Sequence, residues 1–448
     1  MTARLRRFAN QLAETFWLVP GAMVFGGIVL AIALLGVDRG GHLPDWLTTS
    51  PWFYNGGGTG ARTLLGAIAS STIGVAGTVF SITIAALSLA AGQMGPRLLR
   101  NFTRDRGVQV TLGAYLGTFS YALMVLRSVR TQEEGPFTPH LALSFGIVLA
   151  FACVATLVYF VGHMANRINV DTVVELVSGD VQAAMDSVVT EKAQAAPPPA
   201  SHWSGATTVV DARRGYLQQL DEAGLADWAH RHGTALRLLV RRGDFVFPGA
   251  PIAVMSVQVP GAEQAIRDAT ALGPTRGSRG EVDYAVRQLV EVAVRALSPG
   301  INDPHTAMSV LDRLGVALCD LAGRQLPSGV TLRDGAVALV VPTVSYRSLV
   351  DAMFHMVRQN AAGSAALMVR LLDVLTVVIA CEGSQSRRQE LVRHAELVWA
   401  DAQRDIGNAA DLADVGRRFA TLHRTLDHGA LGTIGAVGIA DAADAGVP

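Results

Sequence analysis

Several features that would point to familiar protein classes are scarce or missing in this sequence. It has three cysteines, Cys153, Cys319 and Cys381, and no CxxC spacing, so nothing supports a disulfide framework or a cysteine-based zinc site. Its formal net charge is zero, which gives no reason to expect nucleic acid as a partner. There is no Walker A, GxGxxG or HExxH motif and no recognisable nucleophile–base pair. We therefore expect no enzyme, no cofactor and no metal.

What the sequence does have is long apolar runs in its first third. Four of them cover residues 16–37, 63–93, 108–126 and 141–161, and none contains Asp, Glu, Lys, Arg or His. A helix that crosses a bilayer needs about 20 apolar residues. The first run also exceeds the roughly 7–15 apolar residues of a signal peptide. The sequence therefore predicts four transmembrane helices.

Arginine is unevenly distributed among the short segments that flank these runs. The N-terminus and the segment after the second run are enriched, through Arg4, Arg6, Arg7, Arg97, Arg100, Arg104 and Arg106. The positive-inside rule then predicts that both termini are cytoplasmic. Abundant alanine, glycine and arginine suggest a GC-rich bacterium, and so a bacterial inner membrane. The inner arginines have two further interpretations, attraction of anionic lipid headgroups or an electropositive vestibule.

The second run combines an apolar character with an unusual number of small and hydroxyl-bearing residues. They recur every three or four positions, on one helical face: Ser70, Gly74, Thr78, Ser81, Ala85 and Ser88. Such a face favours close helix packing. Repeated around several subunits it would instead line a pore, with Phe80 as a candidate constriction. The absence of ionisable residues favours a passive pore or an anchor over a proton-coupled transporter.

The remaining chain has the composition of a soluble protein. We divide the sequence into a cytoplasmic N-terminus (1–15), the spans (16–166), an amphipathic helix with a proline-rich linker (167–204), a small β-rich module (205–260) and a helical domain (261–448). The segment RRGDFVFPGAPIA, residues 241–253, resembles the hairpins of biotinyl- and lipoyl-type barrels. It has no lysine at its tip, so a carrier role is unsupported.

A helix predicted over residues 281–297 ends in SPGINDPHTA, where Asp303 is placed to cap a new helix that begins with Pro304. This stretch is typical of a helix cap and tight turn. It could alternatively bind an anion at the helix start. The candidate pocket residues are Arg287, Arg295, Ser298, Asn302, Asp303 and His305.

Three stretches together resemble a bacterial family of predicted membrane proteins, the domain-of-unknown-function family 2254. They are residues 78–105, the hairpin of residues 241–253 and residues 282–314, VDYAVRQLVEVAVRALSPGINDPHTAMSVLDRL. Where the family usually has QFSPR, this chain has QMGPR. The resemblance implies four spans and a cytoplasmic C-terminal region, and it implies no activity.

We expect an α-helical membrane protein with four transmembrane helices and a cytoplasmic α+β region, in which a small β-barrel or hairpin module precedes a helical bundle. Our leading hypothesis is a homo-oligomeric passive channel in the lipid bilayer, with inorganic ions as the permeant species. The rival is a membrane-anchored sensor or scaffold that binds a cytoplasmic ligand without conducting. An enzyme acting at the membrane surface is a weaker third hypothesis.

Overall fold

The structure is a computed structural model, and it describes residues 16–40, 54, 56–94, 105–130, 137–189, 194–274, 276 and 282–428. The chain forms two compact units, Met1–Thr172 and Val173–Pro448.

Four long helices make up the first unit. They are α1 (Leu18–Gly40), α2 (Gly58–Met94), α3 (Arg106–Ser128) and α4 (His140–Ile168). Each is long and apolar enough to cross a membrane. The four helices contain the four predicted runs almost completely, because length and hydropathy are local properties of the sequence. The prediction of four helices that are long and apolar enough to be membrane spans is confirmed.

The third helix, α3, is the central element of this unit. It packs against α1, α2 and α4, and 61% of its most apolar window is buried, compared with 17–28% in the other three helices. This burial allows α3 to carry polar groups that find partners inside the unit. Tyr121 donates its hydroxyl to the carbonyl of Ala142 at 2.6 Å, and Tyr115 donates to the carbonyl of Cys153 at 2.8 Å.

Glycines allow α1 and α3 to approach closely. A Cβ placed on Gly27 would lie 2.4 Å from the carbonyl oxygen of Gly117, and one placed on Gly113 would lie 2.5 Å from the sulfur of Met23. Gly113 and Gly117 form a GxxxG pattern, the spacing that brings two membrane helices together. Among the described parts of the four helices, the closest approach at glycines is therefore between α1 and α3.

Two aspartates at the span boundaries join the helices. Asp38, in the last turn of α1, accepts hydrogen bonds from the amides of Leu141 and Ala142 at 3.0 and 2.9 Å and so caps α4. Asp105 caps α3 and also contacts Nε2 of His163 on α4 at 2.8 Å. Each carboxylate satisfies exposed helix-end amides.

Helix α5 (Val170–Val188), which matches the predicted amphipathic helix, begins three residues before the second unit, and a region of strands follows it. The strands are β1 (Thr207–Asp211), β2 (Gly215–Leu220), β3 (Leu236–Leu238), β4 (Phe245–Val246), β5 (Ala250–Met255), β6 (Thr270–Gly273), β7 (Val330–Arg333) and β8 (Ala336–Val340). Helices α6 (Glu222–Arg231) and α7 (Ala262–Ala269) lie among them. One sheet has the order β1-β5-β3-β8-β7 and the other β4-β2-β6.

The predicted small barrel is wrong, because neither sheet closes on itself. The two strands of the RRGDFVFPGAPIA segment do not pair with each other: β4 pairs with β2, and β5 pairs with β1 and β3. Gly249, at φ 80°, turns the chain between the sheets. β8 then adds to β3 in parallel and leaves β1 and β7 as edges. Three strands, β6 to β8, also lie where only helices were expected.

Six helices follow the strand region or interrupt it. They are α8 (Val282–Ala296), α9 (Pro304–Leu321), α10 (Tyr346–Asn360), α11 (Ala365–Cys381), α12 (Gln385–Asp405) and α13 (Ala409–His428). The apolar α11 is a core helix of this unit. Its Arg370 binds both carboxylate oxygens of Asp312, at 2.7 and 2.6 Å, so its charge is paired within this unit.

Candidate functional site

The six predicted pore-lining residues lie on the side of α2 that faces away from the other helices of the unit. Ser70, Gly74, Thr78, Ser81, Ala85 and Ser88 are all exposed in the single chain. The buried side of α2 comprises Ala61, Leu65, Ile68, Ala69, Thr72, Ala76, Val79, Thr83 and Ala86. Since a helix turns about 100° per residue, the two sets are on opposite sides. We call the exposed set the small-residue face.

No other described residue packs against Gly74 of this face or against its neighbour Gly77. A Cβ added to Gly74 or Gly77 would have no other atom within 4 Å, apart from the helix itself. Gly27 and Gly117, in contrast, have no room for a Cβ. The small residues of this face therefore do not serve packing among the described helices of the unit.

The hydroxyls of this face offer oxygen atoms without charge. Thr78 donates to the carbonyl of Gly74 at 3.2 Å, and Thr63 donates to that of Thr59 at 3.0 Å. A hydroxyl that donates back to its own helix keeps its oxygen lone pairs as acceptors for water or a cation. The arrangement can solvate an ion weakly.

The face extends further toward the start of α2 than we predicted. Thr59, Thr63 and Ala67 are exposed and continue the same row. Their spacing of four residues indicates in the sequence that they belong to the same helical face. The sequence prediction missed them because the face was counted only from Ser70 onward.

The candidate constriction, Phe80, lies beside the small-residue face rather than at its centre. It is one residue, and hence about 100°, from Ser81 around the helix. Its side chain is 41% exposed, and its ring lies 6.5 Å from that of Trp17, centroid to centroid. The inner arginines Arg97, Arg100 and Arg104 lie outside the described residues.

The SPGINDPHTA stretch forms the predicted cap and turn. Asp303 accepts hydrogen bonds from the amide of Thr306 at 3.1 Å and from its hydroxyl at 2.5 Å, and the Thr306 hydroxyl is the main reason why the pKa of Asp303 is lowered. Asn302 adopts φ 50° in the turn. Ser298 donates to the carbonyl of Arg295 at 2.7 Å.

The other candidates at this turn are more open: Arg287, Asn302 and His305 are exposed, and Arg295 is half-buried. The carboxylate of Asp303 is already engaged in capping α9, and the hydroxyl of Ser298 is already bonded to the carbonyl of Arg295 at the end of α8. An anion pocket at this turn stays a prediction.

An ion pair that we did not predict connects two of the stretches that carry the family resemblance. The side chain of Asp283, on α8, is 10% exposed and binds the guanidinium of Arg241, at the start of the RRGDFVFPGAPIA segment. Asp283 lies on the buried side of α8, so the nearest cation from another element becomes its partner.

Comparison with known proteins agrees with this architecture. A family described as "Predicted membrane protein (DUF2254)" matches residues 13–377. The chain belongs to this family. Uncharacterized proteins of Mycobacterium tuberculosis and Mycobacterium bovis are each 28% identical over 429 residues, which cover 93% of this chain and 81% of the relative. No solved structure matches.

One further cluster has the composition of a metal site. Asp351, His355 and His394 bring ligand atoms within 4.8 Å of one another. The sequence did not indicate this cluster, because Asp351 and His355 come from α10 and His394 comes from α12.

Proposed function

We propose that this family member is a homo-oligomeric passive ion pore, in which α2 helices from several copies line the conduit. The observation that supports it is the position of the small-residue face on the outside of the four-helix unit. Unit Val173–Pro448 would lie in the cytoplasm, where it assembles or gates the pore.

The other outer surfaces of the unit make this face distinctive. α1 exposes Phe25, Val29 and Ile32, and α4 exposes Phe151 and Val158. Large apolar side chains of this kind suit contact with lipid tails. Contact with a second helix or with water stabilises glycines and hydroxyls more than contact with lipid does. A second copy of the chain would supply such a helix, and a ring of copies would enclose a water-filled conduit.

The charge pattern supports passive conduction. Residues 63–93 of α2 contain no ionisable side chain, whereas proton-coupled carriers generally need one near the bilayer midplane. A conduit lined by Ser81, Thr78 and Ser88 would act through dipoles alone. Phe80, at the edge of the face, would narrow it. The arginine distribution supports an orientation in a bacterial inner membrane with both termini on the cytoplasmic side.

Conductance of the purified protein in a planar bilayer tests this proposal. We expect ion-selective current from the wild type and its near-complete loss in Ser81→Trp, which puts a large side chain on the small-residue face. Val154→Trp, on the exposed surface of α4, is the matched control and should conduct normally.

Absence of current under every ion gradient would contradict the pore and favour the membrane-anchored sensor or scaffold. Equal currents in Ser81→Trp and the wild type would show that α2 does not line the conduit.

A further inference from the structure

We propose that Asp351, His355 and His394 form a binding site for a divalent first-row transition-metal ion in the helical part of the second unit. The proposal does not depend on the pore.

The geometry of the three side chains suits a metal ion. Asp351 and His355 lie one turn apart on α10, and His394 faces them from α12. Oδ1 of Asp351 lies 3.0 Å from Nε2 of His355 and 2.9 Å from Nε2 of His394. For metal–ligand bonds of about 2.1 Å, such separations correspond to an angle of about 90° at the ion. Two imidazoles and one carboxylate can hold such an ion and leave its remaining coordination positions for water.

Hydrogen bonding alone does not account for this arrangement. Oδ1 of Asp351 faces three nitrogens, because the guanidinium of Arg393 contacts it as well as the two imidazoles. A carboxylate oxygen has only two lone pairs. An ion bound to both Nε2 atoms and to Oδ1 would replace the two imidazole donors at this oxygen. Each Nδ1, which is buried and has no hydrogen-bond partner among the described residues, would then carry the proton of its ring.

The guanidinium of Arg393 would compete with the metal ion for the carboxylate of Asp351. Its guanidinium binds Asp351 and also Glu390, with Nε 2.9 Å from Oε2. Arg347 lies 3.6 Å from the other oxygen of Glu390. A dication at the site would repel Arg393, which has Glu390 as an alternative partner. Removing the Arg393 charge should therefore strengthen metal binding, whereas in a purely structural ion-pair network it would only destabilise the fold.

The test is Zn²⁺ titration by calorimetry of the purified full-length protein, without an affinity tag. Co²⁺ absorption serves as the spectroscopic probe. We expect one ion per chain, at least about tenfold weaker binding in His355→Gln and about tenfold tighter binding in Arg393→Gln. His230→Gln is the matched control, because His230 also contacts an aspartate, Asp334, at 3.0 Å. Its affinity should equal that of the wild type.

Absence of Zn²⁺ binding would overturn the proposal, as would equal binding in the wild type and a folded His355→Gln protein. If His355→Gln does not fold, Arg393→Gln decides, and an unchanged or weaker affinity contradicts the site. A Co²⁺ spectrum without nitrogen ligation in the wild type would also contradict it.

Discussion

Gly27→Ala and Gly74→Ala make the same chemical change in α1 and α2, and we expect them to have opposite effects on the free energy of unfolding. At Gly27 the added Cβ would lie 2.4 Å from the Gly117 carbonyl oxygen. A normal contact is about 3.5 Å, so α1 and α3 must separate by about 1 Å. Overpacking of this kind costs about 1–3 kcal/mol. At Gly74 the Cβ would meet nothing within 4 Å.

Both substitutions gain helix propensity, up to about 1 kcal/mol relative to glycine. This gain cancels when the two variants are compared, so their difference isolates the clash. We expect Gly27→Ala to be less stable than Gly74→Ala by about 1–3 kcal/mol. At about 2–4 °C per kcal/mol for a domain of this size, the melting temperatures should differ by several degrees.

The assay is thermal unfolding in a detergent that dissociates the protein into single chains, with the mass checked by light scattering. Equal destabilisation by the two substitutions would refute the assignment of close packing to α1 and α3. In a milder detergent that preserves assemblies, Gly74→Leu should shift the mass toward the single chain. That shift would locate the contact between copies on the small-residue face.

Three further substitutions test the described contacts. Asp105→Ala removes the α3 cap and the partner of His163, and thermal unfolding should show a loss of about 1–2 kcal/mol; an unchanged melting temperature would exclude the cap. Arg241→Met leaves Asp283 buried without its cation and should cost about 3 kcal/mol, while Asp283→Leu in the same chain should restore much of it in denaturant titrations. If the double variant is as unstable as the single one, the ion pair is not the cause. Ser345→Ala breaks a complete capping box and should cost about 1 kcal/mol by the same titration, and no change would contradict its role.

Features that depend on local sequence were predictable, and features that depend on distant pairing were not. The spans and the helix Gln385–Asp405 follow from hydropathy and periodicity within a single segment. The strand Ala336–Val340 pairs with Leu236–Leu238, and nothing near either segment identifies its partner. Without that pairing, the sequence predicts a small barrel over residues 205–260, whereas the strands of this region belong to two open sheets.

The candidate site shows the same limit. Periodicity identified Ser70 and Ser81 as members of one face of α2, but it could not tell whether that face points into the unit or out of it. Only the packing of Leu65 and Thr72 against the other helices decides the direction. Sequence reasoning did not find the cluster of Asp351, His355 and His394, because His394 lies on a different helix from the other two.

The most direct test of the pore is single-channel recording of Ser81→Cys in a planar bilayer, before and after a charged thiol reagent. The wild type, with its own three cysteines, is the control. The proposal predicts that the reagent blocks most of the current through Ser81→Cys and leaves the wild-type current unchanged. A Ser81→Cys current that does not respond to the reagent, or no current from either protein, would contradict it.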